Sequence, residues 1–466
     1  MFKRFKRLYR QYLSLAAARY YDYPAKDLKL IGVTGTSGKS TTTSMIYHIL
    51  KESGYKVGMI STVGAIAGDK EVDIGFHVTT PDPIDLQKYL KLMKDEGVEY
   101  VVLESSSHAL DQGRLGFLKF DIAVFTNIKR DHLDYHKTWE EYARAKCRLI
   151  DALKNGGTVV YNFDDQRSYK FLKEYIYLRN KLHNQELKEV EYSVSQQLTE
   201  AEEGKGFVSY KFKSFKFRVN VIGAYNIENS YAAALTAHQV GVTMNKAAAA
   251  LESYKGVSGR MEMIQTNPYF VIVDFAHNAD SLERSLDSAK DLLGRKGRLI
   301  TVFGSAGLRD VEKRFTMGEV AGNLADIIII TAEDPRTEMV SDINSEIIEG
   351  AESTGATLIK RFANTEEYNN YIALANKKIE HPELAERAGV EEEEEDVTPI
   401  ETVIYSFDEN NINSRLDAIQ FAIRTARVGD VVITEGKGHE KSLAFGLVEY
   451  PFTDQEAVKK ALEKVS

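Results

Sequence analysis

The segment LKLIGVTGTSGKSTTT, residues 28–43, constrains this chain more than any other. An apolar run, a glycine turn and a Lys-Ser-Thr start follow one another directly, which predicts a strand, a tight turn and a helix N-terminus. Gly35 and Gly38 let the backbone curl so that several N–H groups aim at one anion, and the helix adds the positive end of its dipole. Lys39 then reaches the β- and γ-phosphates, and the hydroxyl of Ser40 or Thr41 is placed to ligate Mg²⁺. The full phosphate-loop pattern asks for glycine where Val33 stands, so Gly35-Thr36-Ser37-Gly38-Lys39-Ser40 is a shortened form. A glycine-rich turn that holds nothing is the competing reading. The strand–turn–helix context favours a nucleoside triphosphate.

The remaining composition narrows the class. A chain of 466 residues with 43% hydrophobic content builds more than one core. No apolar run approaches the ~18 residues that a membrane span requires. A single cysteine, Cys147, rules out an internal disulfide and fits a reducing compartment, so the expectation is a cytoplasmic protein. The start, MFKRFKRLYRQYLSLAAARYY, is basic but lacks the continuous apolar core of a signal peptide. A net charge of −9 argues against non-specific nucleic-acid binding. Lys3, Arg4, Lys6, Arg7 and Arg10 precede the first acid, Asp22, and Phe2, Phe5, Leu8, Tyr9, Leu13 and Leu15 partly share a helical face. Peripheral contact with an anionic membrane is one reading of this helix. A helix packed on the body, with its basic residues in solvent, is the favoured one.

Strands alternate with amphipathic helices, which predicts an α/β protein with mostly parallel sheets. Strands are expected at 56–61, 100–104, 121–126 and 158–161, and helices at 83–96 and 139–152. Between about 165 and 220 the texture turns charged and tyrosine-rich, with β-like stretches at 206–212 and 215–221, before a helix at 226–239. A Gly/Ser segment at 254–260 reads as a hinge. A second series follows: strands 269–274, 298–303, 327–331 and 430–434, helices 279–293 and 311–324. This gives a basic extension (1–27), a P-loop-type central domain (28–257) and a Rossmann-like C-terminal domain (258–466). An acidic insert at about 381–399 reads as a solvated loop.

Polar clusters fall at strand ends, where open α/β sheets place their sites. Glu104 follows Val101–Leu103 and is suited to Mg²⁺ or a metal-bound water. After the next strand come Asp131, His132, Asp134 and His136, whose oxygen and imidazole donors suit Mg²⁺ or Mn²⁺ better than structural zinc. Lys146, by spacing alone, is an ordinary helical lysine. In the second half, Asp274-Phe275-Ala276-His277-Asn278, Gly304-Ser305-Ala306-Gly307, Glu333-Asp334-Pro335-Arg336 and Gly436-Lys437-Gly438-His439-Glu440 each close a strand. Arg336 offers a fork for a carboxylate, and Glu440 a grip for an amine. Four polar turns opposite a nucleotide domain predict a two-sided cleft.

The ordered set GTSGKS, TTPD, ESSSHALDQGRL, FTNIKRDHLDYH, YARAK, GAYNIEN, GRME, DFAHN, GSAGLRD, DPRTE and GKGHE resembles the Mur ligase family over residues 28–466. Within it the set is most similar to the branch that extends UDP-N-acetylmuramoyl-L-Ala-D-Glu. The resemblance implies an ATP-dependent, amide-forming enzyme of peptidoglycan precursor synthesis that works through an acyl phosphate. It implies ATP contacts from Gly35, Thr36, Ser37, Gly38, Lys39, Ser40, Thr41, Asn127, Arg260 and Asp274. Ser40 and Glu104 match ligands of one Mg²⁺; His132 and a carbamylated Lys146 match those of a second. Lys39, Glu104, His132 and Lys146 are thus the catalytic set. Thr79, Thr80, Ser106, Gln112 and Arg114 match the muramoyl-peptide acceptor site. Arg314, Glu333, Asp334, Pro335, Arg336, Gly436 and Glu440 match the pocket for the incoming amino acid.

Two departures stand out. Family members carry a further, UDP-binding domain before the ATP loop, whereas only residues 1–27 precede its strand here. The expectation is that this domain is lacking and that UDP recognition is absent or supplied by a partner. Users of meso-diaminopimelate resemble Asp-Asn-Pro-Arg where this chain has Glu333-Asp334-Pro335-Arg336. The charge at Asp334 favours a cationic group nearby, and a diamino acid such as meso-diaminopimelate or lysine is expected. The same chemistry on a polyglutamate or folate-like acceptor is the first alternative. A non-catalytic ATP-binding subunit of a cell-wall complex is the second.

Overall fold

The computed structural model describes residues 2–68, 70–72, 80–184, 186–204, 206–380 and 401–465, with side chains except at 2–6, 71, 134 and 375–380. Thr79 and the acidic insert at 381–399 lie outside the described residues. The chain divides into two compact units, Met1–Val257 and Ser258–Ser466.

The N-terminal unit runs α1 (Phe2–Tyr20), β1 (Lys29–Thr34), α2 (Lys39–Glu52), β2 (Val57–Ser61), β3 (Gly64–Ala67), β4 (Lys70–Val72), α3 (Pro83–Asp95), β5 (Tyr100–Glu104) and α4 (Ser107–Gln112). It continues with β6 (Phe120–Phe125), α5 (Leu133–His136), α6 (Trp139–Asp151), β7 (Leu153–Asn162), α7 (Gln166–His183), β8 (Lys188–Tyr192) and α8 (Val194–Gln197). The last elements are β9 (Leu198–Gly204), β10 (Phe207–Phe212), β11 (Phe215–Val219), α9 (Tyr225–Gln239) and α10 (Met244–Glu252). The main sheet has the order β4-β3-β2-β5-β1-β6-β7-β8, parallel from β2 to β8, and β9–β11 form a separate antiparallel sheet.

Both faces of the main sheet are buried, which is why its strands read as unbroken apolar runs. Ile31, Val33, Val102 and Val124 enter one core with α2 and α9. Leu30, Val101, Leu103 and Ala123 enter the other with α3 and α6. Each such side chain contributes about 1.5–3 kcal/mol when fully buried. The register pairs Val33 with Glu104 and Thr34 with Phe125, so the chain leaves β1, β5 and β6 at the same edge.

One expectation needs correction here. The stretch after 165 opens with an eighteen-residue helix, α7, capped by Asp165, whose Leu172, Ile176 and Arg179 are buried at helical spacing. The basic N-terminal helix follows its favoured reading: α1 packs on α3 and α4 within the N-terminal unit.

The C-terminal unit runs β12 (Glu262–Gln265), β13 (Phe270–Val273), α11 (Ala279–Lys290), β14 (Leu299–Phe303), α12 (Glu312–Leu324), β15 (Ile327–Ile330), α13 (Val340–Glu352), β16 (Thr357–Phe362) and α14 (Thr365–Glu380). It ends with β17 (Val403–Phe407), α15 (Asn413–Thr425), β18 (Val431–Thr434), β19 (Ser442–Phe445), β20 (Val448–Pro451) and α16 (Asp454–Val465). Its sheet has the order β12-β13-β18-β14-β15-β17-β16, parallel except at the β12 edge. This is the Rossmann-like arrangement, with the turns after β13, β14, β15 and β18 at one end of the strands.

Candidate active site

The ATP loop is built as the sequence requires and held by neighbours the sequence did not announce. Gly38 caps α2 at φ +82°, and a Cβ there would lie 2.2 Å from Asn229 Oδ1, so only glycine fits. Gly35 faces Thr126, whose Oγ1 donates to the Ser37 carbonyl at 2.7 Å. Asn127 uses its side chain on the loop: Ser37 N–H donates to Oδ1 at 3.0 Å, and Nδ2 donates to the Ser37 carbonyl at 3.2 Å. Thr36 N–H donates to the Asn127 carbonyl at 2.9 Å. Asn127, matched to an adenine contact, is therefore a brace of the phosphate loop in this structure. Lys39 Nζ curls back to the Thr36 carbonyl at 2.8 Å; Ser40 is buried in the first helical turn and Thr41 half-buried beside it.

Glu104 ends β5 with its carboxylate buried, and Oε2 accepts from both N–H and Oγ1 of Thr62 at 3.1 Å. Lys146 is fully buried on α6 and donates to the Gly35 carbonyl at 2.6 Å, with its nitrogen 4.4 Å from the Tyr142 ring centroid. Burial first, and the Lys39 charge second, push its amine well below the usual lysine range. Tyr142 was missed from the sequence, yet it joins the parts: its hydroxyl meets Thr36 Oγ1 at 3.2 Å and its ring stands 6.2 Å from that of His132. His132 sits at φ +52° with Nε2 3.5 Å from Asp131 Oδ2. His136 turns inward to Ser107 Oγ at 3.1 Å, and burial, then His108, lower it to about 4. Among the described residues no three His, Cys, Asp or Glu side chains gather into a metal cage. Mg²⁺ does not need one, since it commonly binds one or two protein groups plus substrate phosphates.

The residues matched to the acceptor attach directly to the end of β5. Thr80 Oγ1 donates to the Glu104 carbonyl at 3.0 Å, and Ser106 N–H donates to Thr80 Oγ1 at 3.2 Å. Arg114 reaches the Thr80 carbonyl at 3.0 Å and Gln112 Oε1 at 3.1 Å. Ser106 also caps α4.

In the C-terminal unit, Asp274 Oδ1 accepts from Met261 N–H at 2.8 Å and Oδ2 from Ala276 N–H at 3.1 Å. The Arg260 guanidinium stacks 4.3 Å from the Phe275 ring centroid. Glu333, Asp334 and Pro335 are buried after β15. Burial raises Glu333 to about 7, and its Oε2 has no hydrogen-bond partner among the described residues. Gly436 packs against that carboxylate at φ +101°. Arg336 is half-buried and donates to the Gly307 carbonyl.

Two charges at matched positions are met from within the chain. The charge on Asp334 is met by the chain's own Lys437, whose Nζ lies 2.8 Å from Oδ1 and 2.5 Å from Glu440, so it does not call for a substrate cation. Burial alone would lower Lys437, but Glu440 and Asp334 reverse this and hold it above its ordinary value. Arg314, matched to the amino-acid pocket, is buried and pairs with Glu338 at 2.9 Å and Glu346 at 3.2 Å, which ties α12 to α13. Also unforeseen was the fully buried pair of Arg415 with Asp454 at 2.6 Å; Arg415 further donates to the carbonyls of Ala332 at 3.2 Å and Glu435 at 2.7 Å. It clamps the turns after β15 and β18 together.

Comparison with known proteins follows these motifs. The Mur ligase middle domain matches residues 33–237, and the Mur ligase glutamate ligase domain matches residues 259–384. The UDP-N-acetylmuramoyl-L-alanyl-D-glutamate--2,6-diaminopimelate ligase of Clostridium botulinum is 34% identical over 460 residues, covering 98% of this chain and 82% of its own. The enzyme of that name from Bacillus velezensis is 34% identical over 467 residues, covering 97% and 82%. A solved structure of such a ligase superposes with a TM-score of 0.59 at 27% identity, covering 94% of this chain and 78% of that one. Folylpolyglutamate synthase of Mycobacterium tuberculosis, complexed with ADP and AMPPCP, superposes at 0.63 but 12% identity, covering 91% and 92%, which is likeness of fold alone. With both domains in order and one-third identity across nearly its whole length, the chain belongs to the Mur ligase family of ATP-dependent, amide-bond-forming enzymes.

Proposed function

We propose that this chain adds meso-diaminopimelate to the D-Glu γ-carboxylate of UDP-N-acetylmuramoyl-L-Ala-D-Glu, with cleavage of ATP to ADP and phosphate. One observation carries the reading: the acceptor turn is hydrogen-bonded to the end of β5, beside the ATP loop that leaves β1, and β1 and β5 pair as far as Val33 and Glu104. A carboxylate held by Thr80, Ser106 and Arg114 therefore lies next to the place where Gly35–Thr41 hold a γ-phosphate. The carboxylate oxygen attacks that phosphorus and ADP leaves. The incoming amine then attacks the acyl carbon, loses a proton and expels phosphate.

Apart from supplying this proximity, the protein's work is electrostatic. Lys39 and the loop N–H groups neutralise phosphate charge as it shifts toward the leaving ADP. Ser40 and Glu104 would hold one Mg²⁺, and His132 with Lys146 a second; the ions would supply charge neutralisation on the phosphates. The buried amine of Lys146, which burial pushes well below the usual lysine range, fits this role. A neutral amine can add CO2 and release a proton, giving a carbamate whose oxygens replace an otherwise unhelpful cation. Arg336, Glu333 and Glu440 are assigned to the amino acid, and Arg260 and Asp274 to the nucleotide. The relatives' names supply 2,6-diaminopimelate, of which the meso form is our reading; Asp334, neutralised by Lys437, does not argue for lysine instead. Neither a membrane surface nor a second protein enters this reading.

The test is phosphate release from ATP with UDP-N-acetylmuramoyl-L-Ala-D-Glu and a panel of amino acids. Release that depends on meso-diaminopimelate is expected. Release with a folate or polyglutamate acceptor only, or ATP binding without turnover on any acceptor, would overturn the assignment.

A further inference from the structure

Helix α1 is seated on the acceptor turn by a fit peculiar to that turn. Its inner face carries Arg7, Arg10, Gln11, Ser14 and Ala17 at helical spacing, with Ser14 and Ala17 buried. Beneath it lie Gly113 and Gly116, both at positive φ. A Cβ on Gly116 would fall 1.9 Å from Ser14 Oγ, and one on Gly113 3.0 Å from Arg7 Cγ. The turn is cut to receive this helix.

That seating fixes Arg10. Its Nη1 donates to Gln112 Oε1, the same oxygen that accepts Arg114 Nε at 3.1 Å. Two guanidinium groups thus converge on one neutral amide. The acids nearby balance only one of them: Asp82 pairs with Arg114 Nε at 3.5 Å, while Asp111 is engaged by Arg148 at 3.2 Å and Tyr135 at 3.0 Å. Among the described residues no carboxylate lies within ion-pair distance of Arg10. An amide dipole does not neutralise two cations, whereas a carboxylate or phosphate matches two guanidinium forks in charge and geometry.

We propose that Arg10 acts with Arg114 as a two-arginine clamp for an anionic group of the acceptor, making α1 a substrate-binding element. The proposal rests on the muramoyl-peptide reading of the turn at Thr80, Ser106, Gln112 and Arg114. The anion is either a carboxylate of the dipeptide or a phosphate of the UDP moiety.

Arg10→Gln and Arg10→Lys are compared with the unaltered protein in steady-state phosphate release, with thermal melting alongside. Arg10→Gln should raise the acceptor KM about 10- to 100-fold, as expected for a lost charged hydrogen bond, with ATP KM within about twofold and the melting temperature unchanged. Arg10→Lys should fall between. Repeating the series on the acceptor without UDP separates the sources: a penalty that persists assigns the carboxylate, and one that vanishes assigns the phosphate. An unchanged acceptor KM in Arg10→Gln overturns the clamp, as does a rise in both KM values together with a lower melting temperature, which marks a merely structural helix. If the unaltered protein releases no phosphate with any muramoyl peptide, the functional reading fails instead. Calorimetric binding of inorganic pyrophosphate and of the free dipeptide L-Ala-D-Glu then decides the clamp: weaker binding of either in Arg10→Gln supports it, and equal binding of both overturns it.

Discussion

Replacing Lys437 with methionine removes the cation that neutralises Asp334 while keeping the side chain's length. The Lys437 side chain is 0% exposed and that of Asp334 7%, so no water can take over. Removing one partner of a buried ion pair costs about 3–5 kcal/mol. Asp334 Oδ1 retains the Ala444 N–H at 2.9 Å, and Glu440 is 15% exposed and reaches solvent, which places the cost near the lower end, about 3 kcal/mol. For a unit the size of Ser258–Ser466 this lowers the melting temperature by about 6–12 °C. Pairing the change with Asp334→Asn removes the stranded charge, and the double variant should recover all but about 1 kcal/mol. Differential scanning calorimetry of the two single variants and the double variant, at constant pH and salt, gives the cycle. A Lys437→Met protein that melts within about 2 °C of the unaltered one would refute the reasoning. So would a double variant no more stable than the single one. Asp334 would then be left charged toward an incoming cation, as its sequence first implied.

Lys146→Met should cost about 10³-fold or more in turnover, with partial rescue by small carboxylates at high concentration. Its stability should stay within about 1 kcal/mol, because an apolar chain replaces an already desolvated amine; full activity would remove the carbamate. Gly38→Ala forces a non-glycine residue to φ +82° at about 1–2 kcal/mol and drives its Cβ against Asn229, so calorimetric ADP binding should be lost. His136 titrates near 4 in the folded protein, below its free value of 6.5, so between those values the unfolded chain binds more protons. Stability should therefore fall as pH drops from 6.5 to 4, by on the order of 1–2 kcal/mol for this group. Urea unfolding at pH 6.5 and 4.5 should show a shallower drop in His136→Gln, and an equal drop would count against the assignment.

What the sequence disclosed and what it withheld divide along one physical line. The central strands of both sheets and the polar turns that end them are local patterns, apolar runs closed by glycine, acid or imidazole, and they were legible, whereas the shorter or more polar strands β3, β4, β8, β12, β16 and β17 toward the sheet edges were not. The helix at Gln166–His183 was also locally encoded, through Leu172, Ile176 and Arg179, but the exposed Tyr177, Leu178 and Leu182 blurred the period. Charge compensation was not legible at all, because it joins residues far apart in the chain. Lys437 answers Asp334 across 103 positions, and Arg415 finds Asp454 across 39. Asn127 shows a subtler limit. Its motif marks it as important, but only the two hydrogen bonds to Ser37 reveal that it shapes the loop. Arg314 likewise kept its place in the motif while its charge went to Glu338 and Glu346.

The Arg415–Asp454 clamp carries a consequence for how the protein is made. Asp454 opens the last helix, so a nascent chain presents Arg415 and the strand ends it binds well before the carboxylate that lets them close. Until then the guanidinium has the carbonyls of Ala332 and Glu435 but no counter-charge. On the ribosome the N-terminal unit can finish folding while the C-terminal unit still waits for residue 454 and the helix it opens. Protease protection of stalled chains ending on either side of residue 454 would record the moment at which that unit closes.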